Sequence, residues 1–110
     1  MNIDELTIGE AKVIAEMFGN NNTTLQPYKI GQTYMFRTVT HIIVGVVEDV
    51  GDKEIVLSEA SWIPDTGRYH NFIKDGTLEE VEPYIDKVII GRGALVDSTV
   101  WRHGTPKEQK

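Results

Sequence analysis

The sequence contains no cysteine, so disulfide bonds, thiolate nucleophiles and cysteine-based zinc sites are excluded for these 110 residues. Long apolar runs are also missing, and none approaches the roughly 18 residues of a membrane-spanning helix. The first ten residues, MNIDELTIGE, are acidic and lack the basic stretch that opens a secretory signal. We therefore predict a cytosolic protein.

Positive charge is scarce: 11 lysines and arginines stand against 17 aspartates and glutamates, a formal net charge of −6. Charge-driven binding to duplex DNA or RNA needs an excess of basic residues on one face, so this balance argues against it. A small anionic ligand held by a few convergent arginines stays compatible with it. With 40 % hydrophobic and 25 % charged residues, the chain is expected to form one domain over 1–110. Oligomerisation would be a useful source of stability for a domain of this size.

An amphipathic helix is predicted over about 7–18. Thr7 and Glu10 fit a capping box, and Gly19 suits the position just past a helix end. Apolar residues recur between them at helical spacing, at Ala11, Ile14, Met17 and Phe18.

From Thr33 the apolar period changes to two, and the residue types are those that favour strands. The run to Val50 is too long for one average strand, so we expect a break near Thr40–Ile42. Gly51-Asp52 predicts a turn, with a hairpin between Val50 and Glu54. Together these segments predict a three-strand meander.

Less regular signals follow the meander. Tyr69–Lys74 is expected to form one helical turn within an insertion at 62–76, and Leu78–Tyr84 is expected to be an edge strand or an extended arm. The polar segment 102–110 is expected to be a flexible tail.

The segment Lys87–Trp101, KVIIGRGALVDSTVW, is predicted to be the last hairpin, with two apolar runs joined through Gly91–Gly93. The fold class that follows is α+β and mainly β. We expect an N-terminal helix and then a small, strongly bent, antiparallel five-stranded sheet or barrel over 33–101.

Two segments resemble the motifs of Sm-like proteins. Gly45–Ala60 resembles the first Sm motif, a "G-x-L … D … N-L-x-L-x-x-A" hairpin, and Val88–Val96 resembles the second, "hydrophobic-I-R-G-x-x-V". The resemblance implies a five-stranded bent sheet and a closed homo-oligomeric ring of about six or seven subunits. The uridine-contacting asparagine of that family falls on Lys53 or Glu54 here, which counts against RNA recognition.

The whole chain also resembles a family of small uncharacterised phage and prophage proteins. The similar segments are Arg37–His41 (RTVTH), Asp65–Arg68 (DTGR), Glu80–Pro83 (EVEP) and Ile89–Gly93 (IIGRG). The resemblance implies no established activity. It favours a role at the phage–host boundary, such as counter-defence in the host cell cytoplasm.

Catalytic and metal-binding patterns are weak. Asp65-Thr66-Gly67 matches the aspartic-protease triplet, but the 21 residues between Gly67 and Ile89 are too few for the flap and strands of such an enzyme. A turn in which Asp65 caps and Gly67 takes a positive φ is the simpler interpretation. The histidines lack the short spacing of a metal site, and no nucleophile elbow or phosphate loop is present. We expect a non-enzymatic protein with no cofactor and no metal.

Arginine carries the ligand prediction, because its fork binds phosphate and stacks on aromatic planes. Arg92 lies in the Gly91–Gly93 bend, and in a ring the bends of all subunits would converge. Aromatic residues beside Arg68 could sandwich a nucleobase, whereas Trp101 is expected to anchor a core or an interface. The predicted ligand-binding residues are Arg92, Gly91, Gly93, Arg68, Tyr69, Trp62 and Arg37.

Three hypotheses from different classes follow. The first is an oligomeric binding protein that sequesters a small anionic ligand, such as a nucleotide or cyclic-nucleotide signal. The second is an Sm-like RNA-binding ring with salt-sensitive binding to single strands. The third is an inhibitor that turns an acidic face toward a host or defence protein, while the acidic stretch Glu79–Glu82 is itself expected to be a solvated edge.

Overall fold

The structure is a computed structural model that describes residues 27–110, and the helix predicted over 7–18 lies outside these residues. No helix within 27–110 is long and apolar enough to cross a membrane. This part of the chain forms six strands and one short helix, and a 3-10 turn at Arg92–Ala94 joins the last two strands. They are β1 (Thr33–Thr38), β2 (Ile42–Val50), β3 (Glu54–Asp65), α1 (Tyr69–Asp75), β4 (Glu80–Pro83), β5 (Val88–Gly91) and β6 (Leu95–Val100).

All six strands belong to one antiparallel sheet in the order β4-β3-β2-β1-β6, with β5 also paired to β3. The predicted five-stranded barrel is therefore wrong, because a sixth strand is present and the sheet does not close. β3 spans 12 residues, so two short strands can pair with one of its edges. One edge of β3 pairs with β2, while the other edge pairs with β5 at Glu54–Leu57 and with β4 at Ser61–Asp65.

The hairpin predicted at Lys87–Trp101 is also wrong. β5 pairs with β3 and β6 pairs with β1, so the two strands lie at different edges of the sheet. The 3-10 turn between them is fixed from outside, since the Arg92 amide donates to the Lys53 carbonyl at 2.8 Å. This hydrogen bond holds the 3-10 turn against the β2–β3 turn, where the chain passes from β5, paired with β3, to β6, paired with β1.

The meander prediction is confirmed. Val50 pairs with Ile55 across the turn, where the Gly51 amide donates to the Glu54 carbonyl at 2.8 Å. The predicted break lies at 39–41, where the His41 amide donates to Thr38 Oγ1 at 2.9 Å. The helical turn after Tyr69 and the edge strand within Leu78–Tyr84 are confirmed as α1 and β4.

β3 contains a bulge at Glu59, which has a φ of +48° and is the non-glycine residue with positive φ among residues 27–110. Val46 pairs with Ser58 and Val44 pairs with Ser61, so β3 carries one residue more than β2 here. Because of this extra residue, the even-numbered side chains of β3 after Glu59 point to the face that the odd-numbered ones occupy before it. Gly45 lies opposite, where an added Cβ would come within 3.1 Å of the Ala60 side chain.

Buried side chains form two groups on opposite faces of β1 and β2. In β1, Met35 belongs to one group and its neighbours Tyr34 and Phe36 to the other, as the two-residue period of a strand requires. The meander cluster consists of Tyr34, Phe36, Ile43, Val47, Ile55, Leu57, Ala60 and Ile90. The cap cluster consists of Met35, Val44, Ile63, Phe72, Val81 and Trp101.

The segment 102–110, expected to be a flexible tail, lies against β3 and β4. Lys110 and Val81 exchange two backbone hydrogen bonds of 3.0 Å. His103 packs edge-on against Trp101, with 4.8 Å between ring centroids, and its Nε2 lies 3.0 Å from the Ile73 carbonyl. Backbone pairing needs no apolar side chain, so the polar composition of the segment carried no sign of this placement.

Candidate functional site

A pocket of about 280 Å³ lies at the open end of the sheet, where the β1–β2 turn meets β3. We call it the Trp62 pocket. It is lined by residues from the end of β1, the turn and the end of β3, which are Arg37, Thr38, Val39, Thr40, His41, Ile42, Trp62, Ile63 and Pro64. The lining residues include two with aromatic rings, two threonines and one arginine.

The aromatic wall of the pocket is set by strand register. Ile43 pairs with Trp62, which brings His41 beside the indole with 5.0 Å between ring centroids. Thr40 Oγ1 lies 2.7 Å from His41 Nδ1 and fixes that side of the imidazole. Because Trp62 is only half-buried, its indole retains exposed surface beside the pocket. Such a surface can stack with a nucleobase or a similar flat ring.

Arg37 is held in a fixed orientation at the pocket. It lies directly opposite Asp97 across the β1–β6 pair; its Nε donates to Oδ1 at 2.9 Å and its Nη2 donates to Oδ2. The hydrogen bond from Arg37 and its charge together lower the pKa of Asp97. The guanidinium also lies 5.9 Å from the centre of the Tyr69 ring. Two of its five N–H donors serve Asp97, so further donors remain for a ligand.

A second pocket of about 270 Å³ lies on the other side of His41. We call it the Ile89 pocket. It shares Thr38 and His41 with the Trp62 pocket, and its other lining residues are Ile43, Tyr84, Val88, Ile89, Ile90 and Gly91. No lysine or arginine among residues 27–110 lines it, so the described lining offers no cationic group to an anion.

Arg92 lies apart from the Trp62 pocket. Its Nη1 donates to the Gly51 carbonyl at 2.8 Å, and its guanidinium lies 5.8 Å from the centre of the Tyr28 ring. These contacts join the 3-10 turn to the β2–β3 turn. Gly93 is exposed, and a Cβ added there would have no other atom within 4 Å, while Gly91 borders the Ile89 pocket.

The remaining predicted residues lie around α1. Arg68 is exposed and precedes α1, where its carbonyl accepts the Phe72 amide. Tyr69 begins the helix and is 42 % exposed beside Arg37. The structure thus lines one pocket with Arg37 and Trp62 and places Tyr69 beside Arg37, whereas Arg92 contacts Gly51 and Tyr28.

Two residues considered for other roles have plain structural ones. Trp101 is buried in the cap cluster, 4.8 Å from Phe72 between ring centroids, which confirms it as a core anchor. Asp65 Oδ1 accepts the Gly67 amide at 2.8 Å, and Gly67 has a φ of +71°. The Asp-Thr-Gly segment is therefore the capped turn that the sequence favoured.

Sequence reasoning missed Thr38, Thr40 and His41 as lining residues. Register counted outward from the Val50–Ile55 pair already places Ile43 opposite Trp62, because the bulges in β2 and β3 offset each other. That count is the signal that could have located His41 beside the indole.

In residues 27–110, no three His, Asp or Glu side chains come together in a way that could hold a metal ion. Comparison with protein-family models finds no match, and comparison with curated proteins finds none either. The resemblances to Sm-like and phage proteins therefore stay predictions, and the chemistry of the site carries the functional argument.

Proposed function

We propose that the chain is a non-enzymatic binding protein for a small ligand that combines a planar ring with an anionic group. A nucleotide is the matching class. The observation that carries the proposal is that Arg37, His41 and Trp62 line one pocket, in which the imidazole and indole ring centroids lie 5.0 Å apart. The ring would stack on Trp62, and the anionic group would accept hydrogen bonds from Arg37.

The electrostatics of the pocket make the proposal specific. Arg37 is paired with Asp97, so the two side chains together carry no net charge. Binding would then depend on stacking and directed hydrogen bonds more than on long-range attraction. We expect affinity to change little with salt, whereas an RNA-binding ring would lose affinity steeply as salt rises.

The test is a titration of mononucleotides, cyclic nucleotides and short single-stranded RNA, followed by calorimetry and tryptophan fluorescence. Trp62→Ala should weaken nucleotide binding by about 5-fold to 150-fold, since stacking on one aromatic ring contributes about 1–3 kcal/mol. Arg37→Lys should weaken it because the fork is lost. Arg92→Lys is the matched control, since Arg92 lies outside the pocket.

The outcomes separate the alternatives. Equal binding by wild type and Trp62→Ala would exclude the Trp62 pocket as the site. Binding that fails with Arg92→Lys and persists with Arg37→Lys would move the site to the Gly91–Gly93 bend. Steep salt dependence with RNA alone would favour the RNA-binding hypothesis.

Self-association is a second part of the proposal, carried by an exposed apolar patch beside the Ile89 pocket. Ile85 is 99 % exposed and Ile89 is 67 % exposed, and Tyr84 adjoins them. Contiguous exposed apolar groups of this kind mark interaction surfaces. Light scattering on the wild type should give an oligomer, and Ile85→Glu with Ile89→Glu should give a monomer; a wild-type monomer would contradict this part.

A further inference from the structure

The outer edge of β4 is covered by the segment 105–110 of the same chain. Lys110 exchanges two backbone hydrogen bonds with Val81, both of 3.0 Å. Pro83 has no amide hydrogen, and the Glu79 amide is used by the Asp65 carbonyl at 3.1 Å. Val81 therefore presents its backbone N–H and C=O at the outer edge of β4, and both groups are hydrogen-bonded to Lys110.

Side chains of the segment contact acidic residues with a period of two. Lys107 Nζ and Thr105 Oγ1 donate to Glu59 Oε1 at 2.8 and 3.1 Å. Gln109 Nε2 donates to both carboxylate oxygens of Glu82, at 3.2 and 3.3 Å. Thr105, Lys107 and Gln109 therefore all contact acidic side chains of the sheet, with a bend at Glu108 between the last two.

The main anchor of the segment is the strained residue of the sheet. Glu59 has a φ of +48° at the β3 bulge, and this conformation costs a non-glycine residue energy. Hydrogen bonds from Lys107 and then Thr105 lower the pKa of Glu59. Nearby, the fully buried Ser61 hydroxyl lies 3.4 Å from the Pro106 carbonyl. A glycine at position 59 would relieve the strain but would not hold the lysine.

From these contacts we propose that β4, Glu59 and Glu82 form a docking strip for an extended peptide of a partner protein, and that residues 105–110 are its resident occupant. The partner peptide carries a lysine with a hydrogen-bonding side chain two residues further along. It adds to the sheet edge through backbone hydrogen bonds, and its lysine pairs with Glu59. The resident segment must leave first, so it keeps the strip closed until a stronger peptide arrives.

The acidic strip favours this occupant over others. Glu59, Glu80 and Glu82 lie along it, and the resident segment brings Lys107 to them. Charges at such an edge exclude most strands, and a peptide with lysine at the matching position avoids the repulsion. The proposal is independent of the Trp62 pocket.

The test compares the full chain with a chain that ends at Gly104. The shortened chain keeps the bond from Trp101 Nε1 to the Gly104 carbonyl, 3.1 Å long, and near-ultraviolet circular dichroism verifies its fold. The probe is a labelled peptide of residues 104–110, GTPKEQK, and anisotropy measures its binding. We expect at least tenfold tighter binding to the shortened chain, with chemical-shift changes at the Val81 amide.

Four controls define the contacts. A scrambled peptide and a peptide with Lys107→Glu should each bind at least tenfold more weakly to the shortened chain. Glu59→Gln in that chain should weaken the unmodified peptide, whereas Glu108→Gln in the peptide should leave its affinity unchanged.

Several results would overturn the proposal. They are equal affinity of the full and shortened chains, no binding to a shortened chain that is folded, or binding without a change at Val81. A full chain that forms dimers, lost on shortening, would show that the occupant is the segment of a second copy rather than a partner peptide.

Discussion

The meander cluster and the cap cluster both consist of buried side chains but are assembled in different ways. The meander cluster draws almost all its members from three consecutive strands, with Ile90 as the addition from β5. The cap cluster takes single residues from β1, β2, β3, α1, β4 and the position after β6. One face is therefore local in sequence, while the other depends on distant segments. We expect the meander cluster to determine whether the sheet forms, and the cap cluster to determine whether α1, β4 and residues 102–110 stay packed on it.

The largest effect is expected from Phe36→Ala in the meander cluster. Phe36 is fully buried, and its truncation should lower the free energy of unfolding by about 3–5 kcal/mol. Urea denaturation measures the loss, and hydrogen exchange should show all strands losing protection together. Protection that remains in β1 and β2 would contradict the central role of this cluster.

Phe72→Ala removes an equally buried ring from the cap cluster and should cost about 3 kcal/mol or more. Its exchange pattern is expected to differ from that of Phe36→Ala. Amides of α1, β4 and 102–110 should lose protection first, while the β1–β2 hairpin keeps its own. Simultaneous loss everywhere would show that the two faces form one cooperative unit.

A pair of glycine substitutions tests the edge of the cap cluster. Gly76 follows α1 with a φ of +76°, and an added Cβ would lie 2.6 Å from Cγ of His103. Gly31 has a φ of +90° and open space around it. Both alanine variants should lose about 1–2 kcal/mol through backbone strain. Gly76→Ala should lose about 1–3 kcal/mol more because His103 must move; equal thermal shifts would show that this ring contact carries no weight.

The smallest effect concerns pH. Arg37 lowers the pKa of Asp97 from its ordinary value of 3.8, so the folded state favours the ionised carboxylate. The resulting stability is present above pH 3.8 and is lost as pH falls through the lowered pKa of the folded state. Asp97→Asn should remove this part of the acid dependence and change stability little, since the pair is half exposed. Thermal melts between about pH 2 and 7 check it, and an unchanged acid limb would contradict the assignment.

How far the site could be predicted depends on the range of its contacts. Chemistry alone predicts Arg37, Trp62 and Tyr69 as ligand residues; Arg37 and Trp62 line one pocket, and Tyr69 lies beside Arg37. Arg92 is predicted with them because, in a closed ring, the Gly91–Gly93 bends of all subunits would converge. Its position instead follows from the 3-10 turn, where Gly51 accepts its hydrogen bond across 41 residues of sequence.

The sequence by itself determined the features that rest on neighbours along the chain. Period-two runs, the Gly51-Asp52 turn, the capped turn at Asp65 and the helical turn after Tyr69 all depend on local backbone preferences. Tertiary structure alone decided which edges β5 and β6 join, where the bulge at Glu59 exchanges the faces of β3, and what covers β4. These outcomes depend on backbone hydrogen bonds and packing between segments far apart in sequence, for which side-chain periodicity carries no signal.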